Sequence, residues 1–186
     1  LRPEAVTTVK TLQNLGLDVR LLSGDRPEVA QAIAHQVGIT AVDGGILAQE
    51  KGKIIQSLQE NSKNQQELPK IIAMVGDGIN DAPALAAADI GIALKTATDI
   101  AIETAGIVLM SDRLSDVVES WQLSRATTQK IQQNLLWALG YNMIMVPLAA
   151  GFLLPQFGLI LSPAVAGAFM AFSSVTIVTN SLLLRY

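Results

Sequence analysis

Residues 74–85 read Met-Val-Gly-Asp-Gly-Ile-Asn-Asp-Ala-Pro-Ala-Leu, which sets two carboxylates and an amide into glycine-rich backbone directly after an apolar run. Asp77 offers Mg²⁺ the hard oxygen ligand it takes while keeping waters. Asn80 and Asp81 extend the same polar edge. Earlier in the chain Ser23, with the Gly24 amide and Asp25 beside it, follows a second apolar run and can hydrogen-bond phosphoryl oxygens. Lys51 adds a mobile point charge for the same chemistry, with Lys53 as its competitor. A Gly-Asp-Gly turn alone is weak evidence, because Asp and Gly are ordinary turn residues. The combination points to a site for Mg²⁺ and phosphate.

These residues need a scaffold. Ile71 to Val75 reads as a buried parallel strand, and Gly76 and Gly78 let the chain turn at its carboxyl end, where α/β sheets place ligands. Val19 to Leu22 is a comparable strand before Ser23. Pro3 opens a helix with Val6, Val9 and Leu12 at helical spacing and Gly16 as its stop, and Pro27 and Gly38 bracket another. Lys51 to Glu60 and Ala97 to Ala105 read as helices, Ile90 to Ala93 and Ile107 to Met110 as strands. Strands separated by helices imply a parallel, doubly wound sheet with right-handed crossovers. Asn61 to Pro69 is Gln/Asn-rich and reads as a surface loop.

Charge divides the chain near Lys130. Up to that residue there are 12 basic against 16 acidic residues, a net of −4, whereas everything after it carries one charge, Arg185. Leu135 to Leu154 is apolar-rich and, at about 1.5 Å per residue, long enough to span a hydrocarbon core of about 30 Å. Pro163 to Leu184 supplies a second span, slightly longer than the first. Arg125 and Lys130 before the first span and Arg185 after the second put both outer ends in the cytoplasm. This gives an expected organisation of a half-domain at 1–113, a helical stalk at 114–134, spans at 135–154 and 163–184, and an extracytoplasmic loop at 155–162. Pro147 is expected to kink the first span. A buried apolar hairpin of a large soluble protein is the competing reading, and the single charge after Lys130 argues against it.

No basic field exists for nucleic acid. The chain has no cysteine, so it supplies neither disulfides nor thiolate ligands. It begins with Leu1 and shows no signal peptide, and it reads as a piece of something longer. His35, the single histidine, is expected on an exposed helix face with no catalytic role.

The ordered set Ser23-Gly24-Asp25, Lys51 and Gly76 to Leu85 resembles the second half of the phosphorylation domain of P-type ATPases, a haloacid-dehalogenase-like fold. The resemblance implies that Asp77 holds Mg²⁺ with support from Asp81 and Asn80. It implies further that Lys51 and Ser23, with Gly24 and Asp25, bind the transferring phosphoryl group of ATP. Ser23 replaces the family's threonine and keeps the hydroxyl. Lys51 lacks the proline and aspartate that precede the lysine in the family.

Gly140-Tyr141-Asn142 and Met170-Ala171-Phe172-Ser173-Ser174 resemble the last two spans of the Cu(I)-transporting heavy-metal pumps. Met170 and Ser174, four apart, share a helix face, and a soft thioether favours Cu(I) over a hard cation. Tyr141, Asn142, Met170 and Ser174 are thereby the implied copper ligands, and ATP-driven Cu(I) export through the bilayer the implied activity. Zinc-type relatives place a lysine and an aspartate in these spans; this chain has neither there. Met143 and Met145 match no motif position and read as packing. The Asp-Lys-Thr-Gly-Thr nucleophile, the Thr-Gly-Glu segment and the paired cysteines of an earlier span do not occur in these 186 residues. The missing amino-terminal part of such a pump, with its actuator and nucleotide-binding domains and earlier spans, is the expected partner, and the chain alone is expected to be inactive. Two alternatives stand beside this reading: a membrane-anchored phosphatase of the same superfamily, or a non-catalytic or truncated membrane subunit.

Overall fold

The computed structural model describes residues 1–63, 69–152, 158 and 162–184. It divides into two compact units, Leu1–Glu119 and Ser120–Tyr186.

In the first unit, helix α1 (Ala5–Asn14) leads to strand β1 (Arg20–Leu22), α2 (Pro27–Val37), β2 (Ala41–Asp43) and α3 (Ala48–Lys63). Then come β3 (Ala73–Gly76), a 3₁₀ turn at Ile79–Asp81, α4 (Ala82–Ala87), β4 (Ile90–Ala93), α5 (Asp99–Thr104) and β5 (Ile107–Val108). Every ladder is parallel: Arg20 stands opposite Ala41, Ala73 opposite Ile90, and Ile92 opposite Ile107. The strands form two sheets, β1-β2 and β3-β4-β5. The expected parallel α/β pattern is present, with two elements that the sequence reading omitted. Strand β2 is three residues of mixed polarity, and α4 is one and a half turns around Pro83, so neither repeats long enough to show a period. The expected loop at 61–69 is shorter than anticipated. Residues Asn61 to Lys63 continue α3, since Glu, Asn, Ser and Lys cost a helix little once its Ile55 face is buried; residues 64–68 lie outside the described ones.

The core has three parts. Ile55 of α3, Met74 of β3, Ala84 and Leu85 of α4, Ala93, Ala97 and Ala101 form the largest, and Leu22 of β1 and Ile72 pack on its border. Ala5, Val9, Ala34, Val37 and Ile39 join α1 to α2. Ile92, Leu94 and Leu109 enclose Val117 at the start of the next helix. Small residues bring backbone close to backbone: a Cβ on Gly91 would lie 2.7 Å from the Leu85 carbonyl oxygen, so a glycine is what lets α4 lie against β4.

The second unit holds most of α6 (Ser115–Ala149) and all of α7 (Pro163–Leu182). Helix α6 runs 35 residues without a break, so the expected stalk and first span are one helix. Pro147 stands in its last turn, inside the helix and without a donor for the carbonyl four residues back; after it the Ala150 amide donates to the Val146 carbonyl at 2.9 Å, and Gly151, at φ 86°, ends the helix. From Leu135 to Ala149 is about 22 Å of helix at the usual rise, short of the roughly 30 Å of a hydrocarbon core. Residues 153 and 154 of the expected first span, most of the expected loop at 155–162, and Arg185 lie outside the described residues. By length and composition one described helix can cross a membrane, Ala164–Leu182 of α7. Ser162 caps it, its hydroxyl accepting from the Val165 amide at 3.4 Å.

Candidate functional site

Strand β3 ends at Gly76, and the next residue, Asp77, presents an exposed carboxylate. The turn that follows folds back on the strand. A Cβ on Gly76 would lie 2.7 Å from the Asp81 Cβ and 3.0 Å from its Oδ2, so a glycine here is what lets Asp81 sit under the loop. The Asp81 amide donates to the Gly78 carbonyl at 3.0 Å, closing the 3₁₀ turn. The Asp77 carbonyl accepts from the Thr98 amide at 3.3 Å.

Asp81 faces Lys51. The Lys51 Nζ donates to Asp81 Oδ1 at 2.6 Å, and the two side chains are only 11% and 15% exposed. Lys51 stands in the first turn of α3, a turn closed by Glu50, whose Oε2 accepts from the Leu47 amide at 3.0 Å. Next to it, a Cβ on Gly52 would lie 3.1 Å from the Pro83 carbonyl oxygen, and this close approach of α3 to α4 carries the ion pair. Lys53 is exposed on the other side of the helix. Of the two lysines, Lys51 is the one at the site.

Ser23 follows β1, its amide donating to the Asp43 carbonyl at 2.9 Å. Its hydroxyl donates to Asp25 Oδ2 at 3.2 Å and accepts from the Asp25 amide at 3.1 Å, a local turn that leaves Gly24 exposed at the tip. The Asp25 carbonyl accepts from the Gly45 amide at 2.6 Å, which ties this turn to the one after β2. No hydrogen bond joins Ser23 to Asp77, Asn80 or Lys51 among the described residues. What relates the two turns is packing, since Leu22 and Met74, just upstream of each, share one core. Asn80 is exposed and makes no side-chain hydrogen bond among the described residues.

Arg2 and Thr98 were not anticipated. The Arg2 guanidinium lies 3.7 Å from Asp77 Oδ2 and also donates to the Asp112 carbonyl. Thr98, besides its amide contact with Asp77, buries a hydroxyl with no hydrogen-bond partner among the described residues. Neither residue belongs to a local pattern with Asp77, so no spacing rule reaches them. His35 lies exposed on α2, as expected.

Among the described residues, three carboxyls of this unit are held below their ordinary range. Asp89 is lowered first by the Ile72 amide, which donates to its Oδ2 at 2.9 Å, and then by Gln59. Glu4 is lowered by its own amide and by that of Leu114, and Asp18 by the Lys70 ammonium at 2.8 Å. Among the described residues no three His, Cys, Asp or Glu side chains cluster to form a cage for a metal. With Asp81 engaged by Lys51, the carboxylate left at this turn is the exposed one, Asp77. That donor set fits Mg²⁺, which keeps waters and takes one or two carboxylates with phosphate oxygens, and it does not fit an all-protein site.

In the second unit the Tyr141 hydroxyl is buried and has no hydrogen-bond partner among the described residues, while Asn142, Met170 and Ser174 are exposed. The Ser174 hydroxyl donates to the Met170 carbonyl at 3.2 Å, one turn back. No hydrogen bond links Tyr141 or Asn142 to Met170 or Ser174 among the described residues.

Comparisons with known proteins agree with one another. Residues 1–89 match the family model of haloacid dehalogenase-like hydrolases. The whole chain is 49% identical to a probable copper-transporting ATPase, SynA, of Synechococcus and 45% identical to a probable copper-exporting P-type ATPase of Archaeoglobus fulgidus. It covers 23% and 22% of those proteins, so it spans about a quarter of the length of the curated relatives it matches. Among solved structures, a zinc-transporting PIB-type ATPase in its E2.Pi state superposes on the full chain with a TM-score of 0.84 at 36% identity, with 28% of that protein covered.

Proposed function

We propose a function from one premise: this chain belongs to the heavy-metal P-type ATPases. It supplies the Mg²⁺- and phosphate-binding half of a phosphorylation domain and the last two membrane helices of an ATP-driven Cu(I) exporter. The observation that carries this is the buried Lys51–Asp81 pair, held beneath the Gly76 turn beside the exposed carboxylate of Asp77. Mg²⁺ and ATP, when bound, supply the phosphoryl group and part of its charge neutralisation. Asp77 holds the cation, with Asp81 and Asn80 supporting the turn around it. The Ser23 hydroxyl and the Gly24 amide hydrogen-bond phosphoryl oxygens, and the Lys51 ammonium offsets their negative charge.

The nucleophile lies outside these residues. Among the described residues strands β1 and β3 each pair on one side, with β2 and with β4, and Leu22 and Met74 meet in one core. A strand between them carrying an aspartate at its carboxyl end would set that aspartate between Ser23 and Asp77. Incubated alone with Mg²⁺ and labelled ATP, the chain is therefore expected to form no acid-stable phosphoprotein; labelling would overturn this assignment.

In the membrane half, α7 and residues 135–154, which take in the last part of α6, serve as the two spans, with both outer ends cytoplasmic. Copper is favoured over zinc as the cargo by the Met170 thioether and by the absence of any charged residue from 135 to 184. The test is a complete pump containing this chain in sealed vesicles. Cu(I) should stimulate ATP hydrolysis, Asp77→Asn should abolish it, and Met170→Leu with Ser174→Ala should weaken Cu(I) binding. Stimulation by Zn²⁺ in place of Cu(I) would refute the cargo assignment.

A further inference from the structure

The second unit contains a polar arrangement that neither the phosphate chemistry nor the copper ligands use. Lys130 Nζ on α6 donates to Asn180 Oδ1 on α7 at 2.8 Å. Asn180 Nδ2 donates to Asn134 Oδ1 at 2.8 Å, and Asn134 Nδ2 donates to Ser181 Oγ, also at 2.8 Å. The Ser181 hydroxyl donates in turn to the Ile177 carbonyl at 2.9 Å, one turn back on α7. Four side chains thus form one directed series. Its direction is fixed at the charged end: an ammonium has three donors and no acceptor, so it selects the oxygen of the Asn180 amide and leaves each later group one orientation.

The spacing makes this series selective for one alignment of the helices. Lys130 and Asn134 are four apart and share a face of α6, while Asn180 and Ser181 are adjacent on α7. A slip of one residue, about 1.5 Å of rise with a turn of roughly 100°, takes the donors out of line with their acceptors. With no hydrophobic driving force between helices in a bilayer, packing and interhelical hydrogen bonds set how they pair, and the hydrogen bonds add a directional requirement to the packing. Among the described residues these three are the side-chain hydrogen bonds that join α6 to α7. Helix α6 is itself unbroken from Ser115, two residues before Val117 in the core of the first unit, through Lys130 and Asn134.

We infer that Lys130, Asn134, Asn180 and Ser181 form a register lock between the two helices, and that Asn180 is a positioning residue for transport. The lock makes α7, which carries Met170 and Ser174, move with α6 as one body, so that displacement of α6 during the phosphorylation cycle reaches the copper ligands. This rests on the transport reading above.

The complete pump in vesicles tests it, with ATP hydrolysis and Cu(I) uptake measured together. Asn180→Leu keeps the size of the side chain and removes both amide bonds. Uptake per ATP should fall about fivefold or more, the lower range of site-to-site coupling, while hydrolysis stays within about twofold. Lys130→Met/Asn134→Leu/Asn180→Leu removes three of the four polar groups together, leaving Ser181 its bond to the Ile177 carbonyl, and should melt near the unsubstituted pump; uptake per ATP should nonetheless stay low. A normal ratio in that well-folded variant overturns the inference. An unsubstituted pump without copper-stimulated hydrolysis overturns the transport reading instead, and the lock is then judged by a measurement that needs no transport. In the ¹⁵N-labelled chain in micelles, the side-chain amide protons of Asn134 and Asn180 should exchange slowly with water and exchange fast after Lys130→Met. Fast exchange in both forms, or slow exchange in both, overturns the lock.

Discussion

Lys51→Met removes the ammonium from a pair whose side chains are 11% and 15% exposed and whose charged atoms are 2.6 Å apart. With so little solvent at either partner, screening does little, and the cost is that of an uncompensated buried carboxylate. Breaking such pairs costs about 3–5 kcal/mol. The penalty falls first on the elements the pair joins, α3 and the 3₁₀ turn leading into α4. At about 1.4 kcal/mol per factor of ten, even the lower figure opens that region about a hundredfold more often. Amide hydrogen exchange of the full chain, read by mass spectrometry on peptides covering Ala48–Lys63 and Ala82–Ala87, should show exchange faster by about that factor. Lys53→Met, on the exposed side of the same helix, should change exchange less than about threefold. Lys51→Met/Asp81→Leu, which leaves no orphaned charge, should recover to within about 1 kcal/mol of the unsubstituted chain. Exchange in Lys51→Met indistinguishable from that in Lys53→Met would refute the reasoning, because it would mean that water already solvates the pair.

Gly76→Ala should be as damaging to the turn as a core overpacking, about 1–3 kcal/mol, because its methyl would meet the Asp81 Cβ at 2.7 Å; Mg²⁺ binding measured by calorimetry should weaken with it, and unchanged stability would show that the turn yields freely. Acid should destabilise the first unit through Asp89, Glu4 and Asp18. Their folded values are depressed, so their contribution is present above the ordinary carboxylate range and is lost as pH falls through the depressed values. Asp89→Ala should flatten that part of the pH profile of unfolding, and a profile as steep as that of the unsubstituted chain would exclude Asp89 as a contributor.

The parallel α/β organisation was legible because buried strands such as Ile90 to Ala93 and helices bracketed by Pro27 and Gly38 carry their signals within a few residues. The candidate site was legible for the same reason at Asp77 and Asp81, whose turn is local. It was not legible where the partner comes from far along the chain. Choosing Lys51 over Lys53 requires knowing which face of α3 is buried, and that is decided by Gly52 meeting Pro83, which lies beyond the whole of α3 and β3 in sequence. Arg2 and Thr98 reach Asp77 only through the fold, so no spacing announces them.

The second unit separates two signals that a sequence reading tends to merge. Charge stops at Lys130 and apolarity begins near Leu135, which suggests a boundary between a stalk and a span; yet the backbone of α6 crosses that point without change. Helix formation depends on local backbone hydrogen bonds and on the absence of breakers, and between Lys130 and Val146 there is no proline and a single glycine, Gly140, to break them. Composition therefore changes near Lys130 while the helical backbone runs on to Ala149. Near that crossing Asn134 and Asn180 hydrogen-bond each other, and Asn134 also bonds Ser181 while Asn180 also bonds Lys130. Asn180 lies in an apolar stretch, where a polar group without a partner is costly. Which partner it takes depends on how two helices pair, and a single helix's own pattern contains no record of that.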